Sequence, residues 1–176
     1  MRRRQNKFPA LILGAVLLTF GTSQALGQSD AGSDPHEDHW AVLEVGGVAA
    51  VELPDGSGHF GGSVAVEKTL IEKWLELELG ISATSGHGES ELAASLLFKK
   101  PWQISPKVEF MIDVGPELSH ALNADGGTSP GIAAVLDFMF WPSKNVGWYL
   151  EPGYEVVFRH GANSSVNVVG GLLIGF

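Results

Sequence analysis

Trp74-Leu75-Glu76-Leu77-Glu78-Leu79-Gly80-Ile81-Ser82, WLELELGIS, alternates from Leu75 onward between apolar and polar or small residues. In an extended chain successive side chains point to opposite faces, so this segment is a strand with one apolar and one acidic face. If the glutamates face water, the strand belongs to a soluble sheet. If the leucines face outward, it belongs to a barrel whose apolar side is its exterior. The rest of the chain decides between these.

From Trp40 onward the same pattern recurs in eight extended segments, at about 40–53, 59–70, 74–84, 89–100, 108–119, 130–141, 146–159 and 165–176. PDGSG (54–58), SGHG (85–88) and NADGGTS (123–129) supply the Gly, Asn and Asp of tight turns. IEKW, PWQISPK and PSKN form the alternate connections. No window shows a convincing amphipathic helical period, and none holds eighteen consecutive apolar residues. The expected fold is all-β, an eight-stranded antiparallel up-and-down barrel.

One parity of the strands collects Leu43, Val45, Val64, Leu77, Leu79, Leu96, Phe98, Ile112, Leu136, Phe138, Leu150, Val168, Leu172 and Phe176. The other collects Gly, Ala and Ser with nearly all the charge. An eight-stranded barrel has an interior only wide enough for side chains. The bulky apolar set would overfill it, whereas the small and polar set fits. Soluble surfaces also mix both signs of charge, and Lys is almost missing from the polar parity. The apolar face is therefore assigned outward, against lipid, the dyad alternation of membrane-spanning barrels. A soluble lipid-binding barrel of lipocalin type would require the two parities to be swapped.

The N-terminus, MRRRQNKFPALILGAVLLTFGTSQALGQ, has a basic start, an apolar core from Phe8 to Phe20 and a small-residue cleavage site at Ala25-Leu26-Gly27. Residues 1–27 are expected to be a secretory signal peptide. Residues 28–39 read as a polar, mobile leader, and 40–176 as the barrel. Without the signal, 7 Lys/Arg face 20 Asp/Glu, a net charge of −13. So acidic a product is not expected to bind nucleic acid. The absence of cysteine excludes disulfides and thiolate chemistry.

With the N-terminus in the periplasm, all five tryptophans, Trp40, Trp74, Trp102, Trp141 and Trp148, fall at the periplasmic end as an interfacial aromatic girdle. A signal peptide, eight amphipathic strands and a last strand VNVVGGLLIGF ending in an aromatic residue together resemble the small bacterial outer-membrane β-barrels of the OmpA/OmpX type. The resemblance covers about 40–176. It implies residence in outer-membrane lipid and recognition of the final strand, through Phe176, by the barrel-assembly machinery. Two departures from the resemblance are expected: no C-terminal peptidoglycan-binding domain, and outer loops that are short for an adhesin.

Three sets of residues could carry chemistry. The inward parity holds Glu44, Glu67, Glu76, Glu78, Glu91, Glu109, Asp113, Glu117, Asp137, Glu151 and Glu155, with Lys99 and Arg159 as the inward cations. So many carboxylates in a narrow lumen must share protons, pair with these cations, or hold metal ions or water. This implies a closed, hydrogen-bonded plug or, alternatively, a proton or small-cation path. His59, His87, His120 and His160 each fall at a different outer loop. With nearby Glu89, Glu91, Glu117 and Asp125 they are candidate ligands for a rim metal, although parity points His59 and His87 inward and His120 and His160 outward unless the loops reorient them. The HEDH of 36–39 lacks the helical context of a zinc hydrolase and reads as solvated leader. An acidic outer rim would meet anionic lipopolysaccharide through divalent cations. No nucleophile elbow, phosphate loop or cofactor motif occurs. The expected role is structural or interactive, with no enzymatic activity and no cofactor.

Overall fold

The structure is a computed structural model and describes residues 39–53, 55–122, 126–159 and 161–176. The expected signal peptide, the leader as far as Glu37 and Asp38, Asp125 and His160 lie outside the described residues.

Eight strands, β1 (Val42–Glu52), β2 (Gly58–Ile71), β3 (Leu75–Gly86), β4 (Glu89–Ser105), β5 (Val108–Ala121), β6 (Thr128–Phe140), β7 (Val146–Val157) and β8 (Asn163–Gly175), follow one another around a closed barrel. Every neighbouring pair is antiparallel. The ring closes where β1 meets β8, from Val42↔Gly175 to Glu52↔Ser165. Closure leaves no free sheet edge, so no strand has an unpaired row of backbone N–H and C=O groups. The shortest strand has 11 residues, enough for a tilted crossing of a bilayer's hydrocarbon layer.

The strands alternate as the period of two requires. In β5, Glu109, Met111, Asp113, Gly115, Glu117 and Ser119 are buried while Ile112, Val114 and Leu118 are exposed. In β3, the stretch WLELELGIS turns Glu76 and Glu78 inward and leaves Leu79 and Ile81 with more than half their surface open. The swapped arrangement of a lipocalin-type barrel is not the one present. Outside, aromatic rings gather at the end where β1 begins and β8 finishes, here called the terminal end. Trp102 stacks on Phe110 at 5.9 Å, Phe110 meets Phe138 at 5.1 Å, and Phe140 stacks on Trp148 at 3.9 Å. Lys100 Nζ lies 5.3 Å from the Trp102 ring, a cation held over a π-face.

Three expectations are corrected. PWQISPK is not a connecting loop. β4 continues through Pro101 and Trp102 to Ser105, with a bulge opposite β5 between Gln103 and Ser105. Trp141 does not join the outer girdle. It is 2 % exposed and packs inside the barrel with Val42, Met111, Met139, Tyr149 and Leu173. Its odd position continues the inward parity of Asp137 and Met139, so the alternation itself dictates its direction. Nor is His39 solvated. Its ring is buried, contacts Trp141 at 5.4 Å between centroids and has Nε2 2.7 Å from the Lys144 carbonyl oxygen. The seat depends on Gly175, where a Cβ would come within 2.4 Å of the imidazole.

Two prolines explain irregularities in the wall. Between β4 and β5 the register passes from Ser95↔Glu117 directly to Phe98↔Val114, and Pro116 lies in that gap. Between β6 and β7 it passes from Val135↔Gly153 to Phe138↔Leu150, beside Pro152. A proline has no N–H to donate, so each removes a rung on one side of its strand. On the other side both keep a partner, Pro116↔Ile132 and Pro152↔Val168.

Candidate functional site

The inward side chains form three levels. At the terminal end, Trp141, Met111, Met139, Tyr149, Leu173 and Val42 make an apolar layer. Beside it Glu76 accepts a hydrogen bond from Thr69 Oγ1 at 3.1 Å, and Glu109 is buried nearby. Glu76, Glu109 and His39 border a cavity of about 510 Å³ open at this end, together with Lys73, Lys100 and Trp102.

The middle level is built around Lys99, whose side chain has no exposed surface. Its inward direction follows from the parity of β4, and its level places it between Glu76 on β3 and Asp113 on β5 in the hydrogen-bonded ladder. Lys99 Nζ lies 2.6 Å from Glu67, 2.7 Å from Glu78 and 2.9 Å from Asp137. Three further carboxylates stand farther off: Glu44 at 3.5 Å, Glu151 at 3.7 Å and Asp113 at 4.0 Å. A lysine ammonium has three protons to donate; it donates to Glu78 and, at longer range, to Glu44, and it meets the other carboxylates as ion pairs. One cation thus faces six buried carboxylates drawn from six of the other seven strands.

Around this cluster the lumen is not filled. A cavity of about 70 Å³ is lined by Glu44, Glu78 and Glu151 on one side and by Glu117, Glu155 and Asn167 on the other, which is room for several water molecules.

The level at the opposite end is held by Arg159. Its Nη2 donates to Glu91 at 2.9 Å and to Ser119 Oγ at 3.1 Å, and its Nε lies 3.4 Å from Ser129 Oγ. One side chain thereby ties β4, β5 and β6 to the end of β7. Glu155 accepts hydrogen bonds from Asn167 Nδ2 and from Ser165 Oγ. His59 Nε2 sits 3.2 Å from Glu52 in a cavity of about 80 Å³ that also touches Glu91, Glu155 and Arg159. Beyond the strands, the Ser57 backbone N–H donates to Asp55 at 2.9 Å. That bond, with a second from the Ser57 hydroxyl, holds the Asp55 carboxyl below its ordinary range.

The structure therefore gathers Glu44, Glu67, Glu78, Lys99, Asp113, Asp137 and Glu151 into one cluster. It sets Glu91, Glu117, Glu155 and Arg159 in a second level, and Glu76 and Glu109 in a third. The described rim histidines do not form a site. His59 points into the barrel, whereas His87 is exposed in the β3–β4 turn with a positive φ of 49°. His120 lies outside, with Nδ1 2.9 Å from Thr128 Oγ1. Among the described residues, the groups of three or more metal-ligand side chains that converge are all lumen carboxylates. The sequence reading missed the apolar layer, although Met111, Met139 and Tyr149 carry the inward parity and could have been sorted by it.

An exterior of exposed apolar side chains and an interior of buried charge decide what this barrel can be compared with. Its fold is that of the small eight-stranded outer-membrane barrels. It resembles Neisserial surface protein A (NspA), with a TM-score of 0.63 at 12% identity, over 77% of this chain and 97% of that one. Ail, the attachment invasion locus protein of Yersinia pestis, superposes with a TM-score of 0.52 at 12% identity, over 76% of this chain and 97% of that one. The outer membrane protein OprG from Pseudomonas aeruginosa gives 0.52 at 11% identity, over 77% and 95%. No protein-family model matches the chain. No curated protein matches its sequence either.

Proposed function

We propose that the chain is an integral outer-membrane barrel with a structural or surface-interaction role and a lumen that does not conduct. The observation that carries this reading is the inverted burial, with leucine, isoleucine and valine exposed along every strand while Glu67, Lys99, Asp113 and Asp137 have no accessible surface. In water such an exterior would drive aggregation; in a bilayer it matches the solvent. Residence in the outer membrane is supported by the shared fold with barrels from that membrane. The Trp40, Trp74, Trp102 and Trp148 rings belong at its interface, Phe176 serves assembly, and divalent cations bridge the acidic rim to lipopolysaccharide.

The closed lumen rests on two obstacles in series, the Lys99 cluster and the Trp141 layer. We assign no catalytic reaction to it. Membrane fractionation with unboiled and boiled samples on one SDS gel tests the reading. Recovery in the outer membrane with a faster unboiled band is expected. A soluble periplasmic protein with one mobility would overturn it.

A further inference from the structure

We infer that Asp113, Asp137 and Glu151, on β5, β6 and β7, form a cation site in the lumen, for a hard divalent ion such as calcium. This goes beyond the proposed role and does not depend on the surface interactions assigned to the barrel.

The first support is hydrogen-bond accounting. Lys99 has three protons to donate and six carboxylates within 4.0 Å of its Nζ, so it cannot satisfy them all. Neither oxygen of Asp113 has a hydrogen-bond partner, and the side chain is fully buried. Asp137 Oδ1 and Glu151 Oε1 are also without one. Buried carboxylate oxygens without a hydrogen bond are costly; Asp113 Oδ2 and Glu151 Oε1 have only the Lys99 ammonium at 4.0 and 3.7 Å, and these groups belong to three adjacent strands at one level of the lumen.

The second support is geometry. Asp113, Asp137 and Glu151 each offer an oxygen, and the three lie within 4.8 Å of one another. Separations within that bound suit a hard divalent ion, whose opposite oxygen ligands lie roughly 4 Å apart around magnesium and roughly 5 Å apart around calcium. An all-oxygen, all-carboxylate set favours such hard ions over zinc or copper. Charge points the same way, since a single ammonium faces six carboxylates and a divalent ion offsets two more. Glu151 also borders the adjoining cavity, which can supply water to complete the coordination.

The test refolds the whole barrel into detergent with or without calcium chloride, exchanges it into calcium-free buffer and measures retained calcium by atomic emission. Heat-modifiability on a gel scores folding in the same samples. Wild type is expected to retain one calcium ion per chain and to unfold at a higher temperature for having it. Asp113→Asn should retain at least about tenfold less, because it removes a charged ligand. Glu89→Gln, an exposed change at the first residue of β4, should retain as much as wild type. If Asp113→Asn does not fold, Glu151→Gln reads the same ligand set. A folded wild type without retained calcium would overturn the site and assign the excess charge to protons. Equal retention by folded wild type and Asp113→Asn would overturn it as well, as surface binding. The gel shift reports on the barrel independently, so the loss of one reading is distinguishable from loss of the other.

Discussion

Lys99 is the residue on which the interior most depends. Its Nζ is the cation that Glu67, Glu78 and Asp137 contact directly, and it is fully buried. Breaking a buried ion pair by deleting one partner costs about 3–5 kcal/mol, because the other charge is left uncompensated. Lys99→Met is therefore expected to lower the urea midpoint of the refolded barrel by an amount equivalent to at least that figure. A midpoint unchanged from wild type would show that the carboxylates do not need the ammonium. Lys99 and its acids were legible in the sequence as an inward set, because parity fixes direction. Which acids Lys99 reaches was not legible. That depends on the stagger between strands, which brings Glu67 of β2, Asp137 of β6 and Lys99 of β4 together across the lumen. His39 was illegible for another reason: it precedes the first strand, where alternation gives no guide, and its seat depends on the missing side chain of Gly175.

At the scale of the element, a period of two sorts each strand into its faces, and a one-residue slip would exchange them. The pattern held because a slip would put glutamate against lipid. It misled only at the ends. Pro101 looked like a breaker, yet β4 runs through it, since a strand tolerates a proline where one rung can be lost. Leu118 on β5 is 55 % exposed while its neighbour Ser119 is fully buried. Leu118→Arg is expected to reduce membrane insertion and cost up to about 2–4 kcal/mol, according to its depth. The comparison is made by refolding yield into lipid vesicles for Leu118→Arg and Leu118→Ala. Equal yields for the two would contradict a lipid-facing β5.

For the whole molecule, the question is whether anything passes through. The cavity beside Lys99 shares Val48, Ser82, Ala93, Glu155 and Asn167 with the one at the Arg159 end, whereas the cavity at the terminal end has no lining residue in common with either, and the Trp141 layer lies toward that terminal end. Wild type in a planar bilayer is expected to give no discrete conductance steps. Trp141→Ala deletes a side chain that is 2 % exposed, at a cost of about 3–5 kcal/mol, and should admit water into that layer. Steps in Trp141→Ala but not in wild type would identify the layer as the seal, whereas steps in wild type would favour the proton or cation path.

The two gaps at Pro116 and Pro152 leave the β5–β6 hairpin in an unusual position. Its own ladder is unbroken from Val108↔Phe140 to His120↔Thr128, while the seams on either side each lack rungs. The hairpin is thus a panel hinged into the wall along two perforated lines. It carries Asp113 and Asp137, and Lys99 on β4 holds it across one line. What the backbone omits along these seams, the lumen supplies as a charged bolt. Lateral opening, the way such a wall first yields to force or to a detergent, should begin beside this panel, and the ionic state of the interior should set how hard it must be pulled.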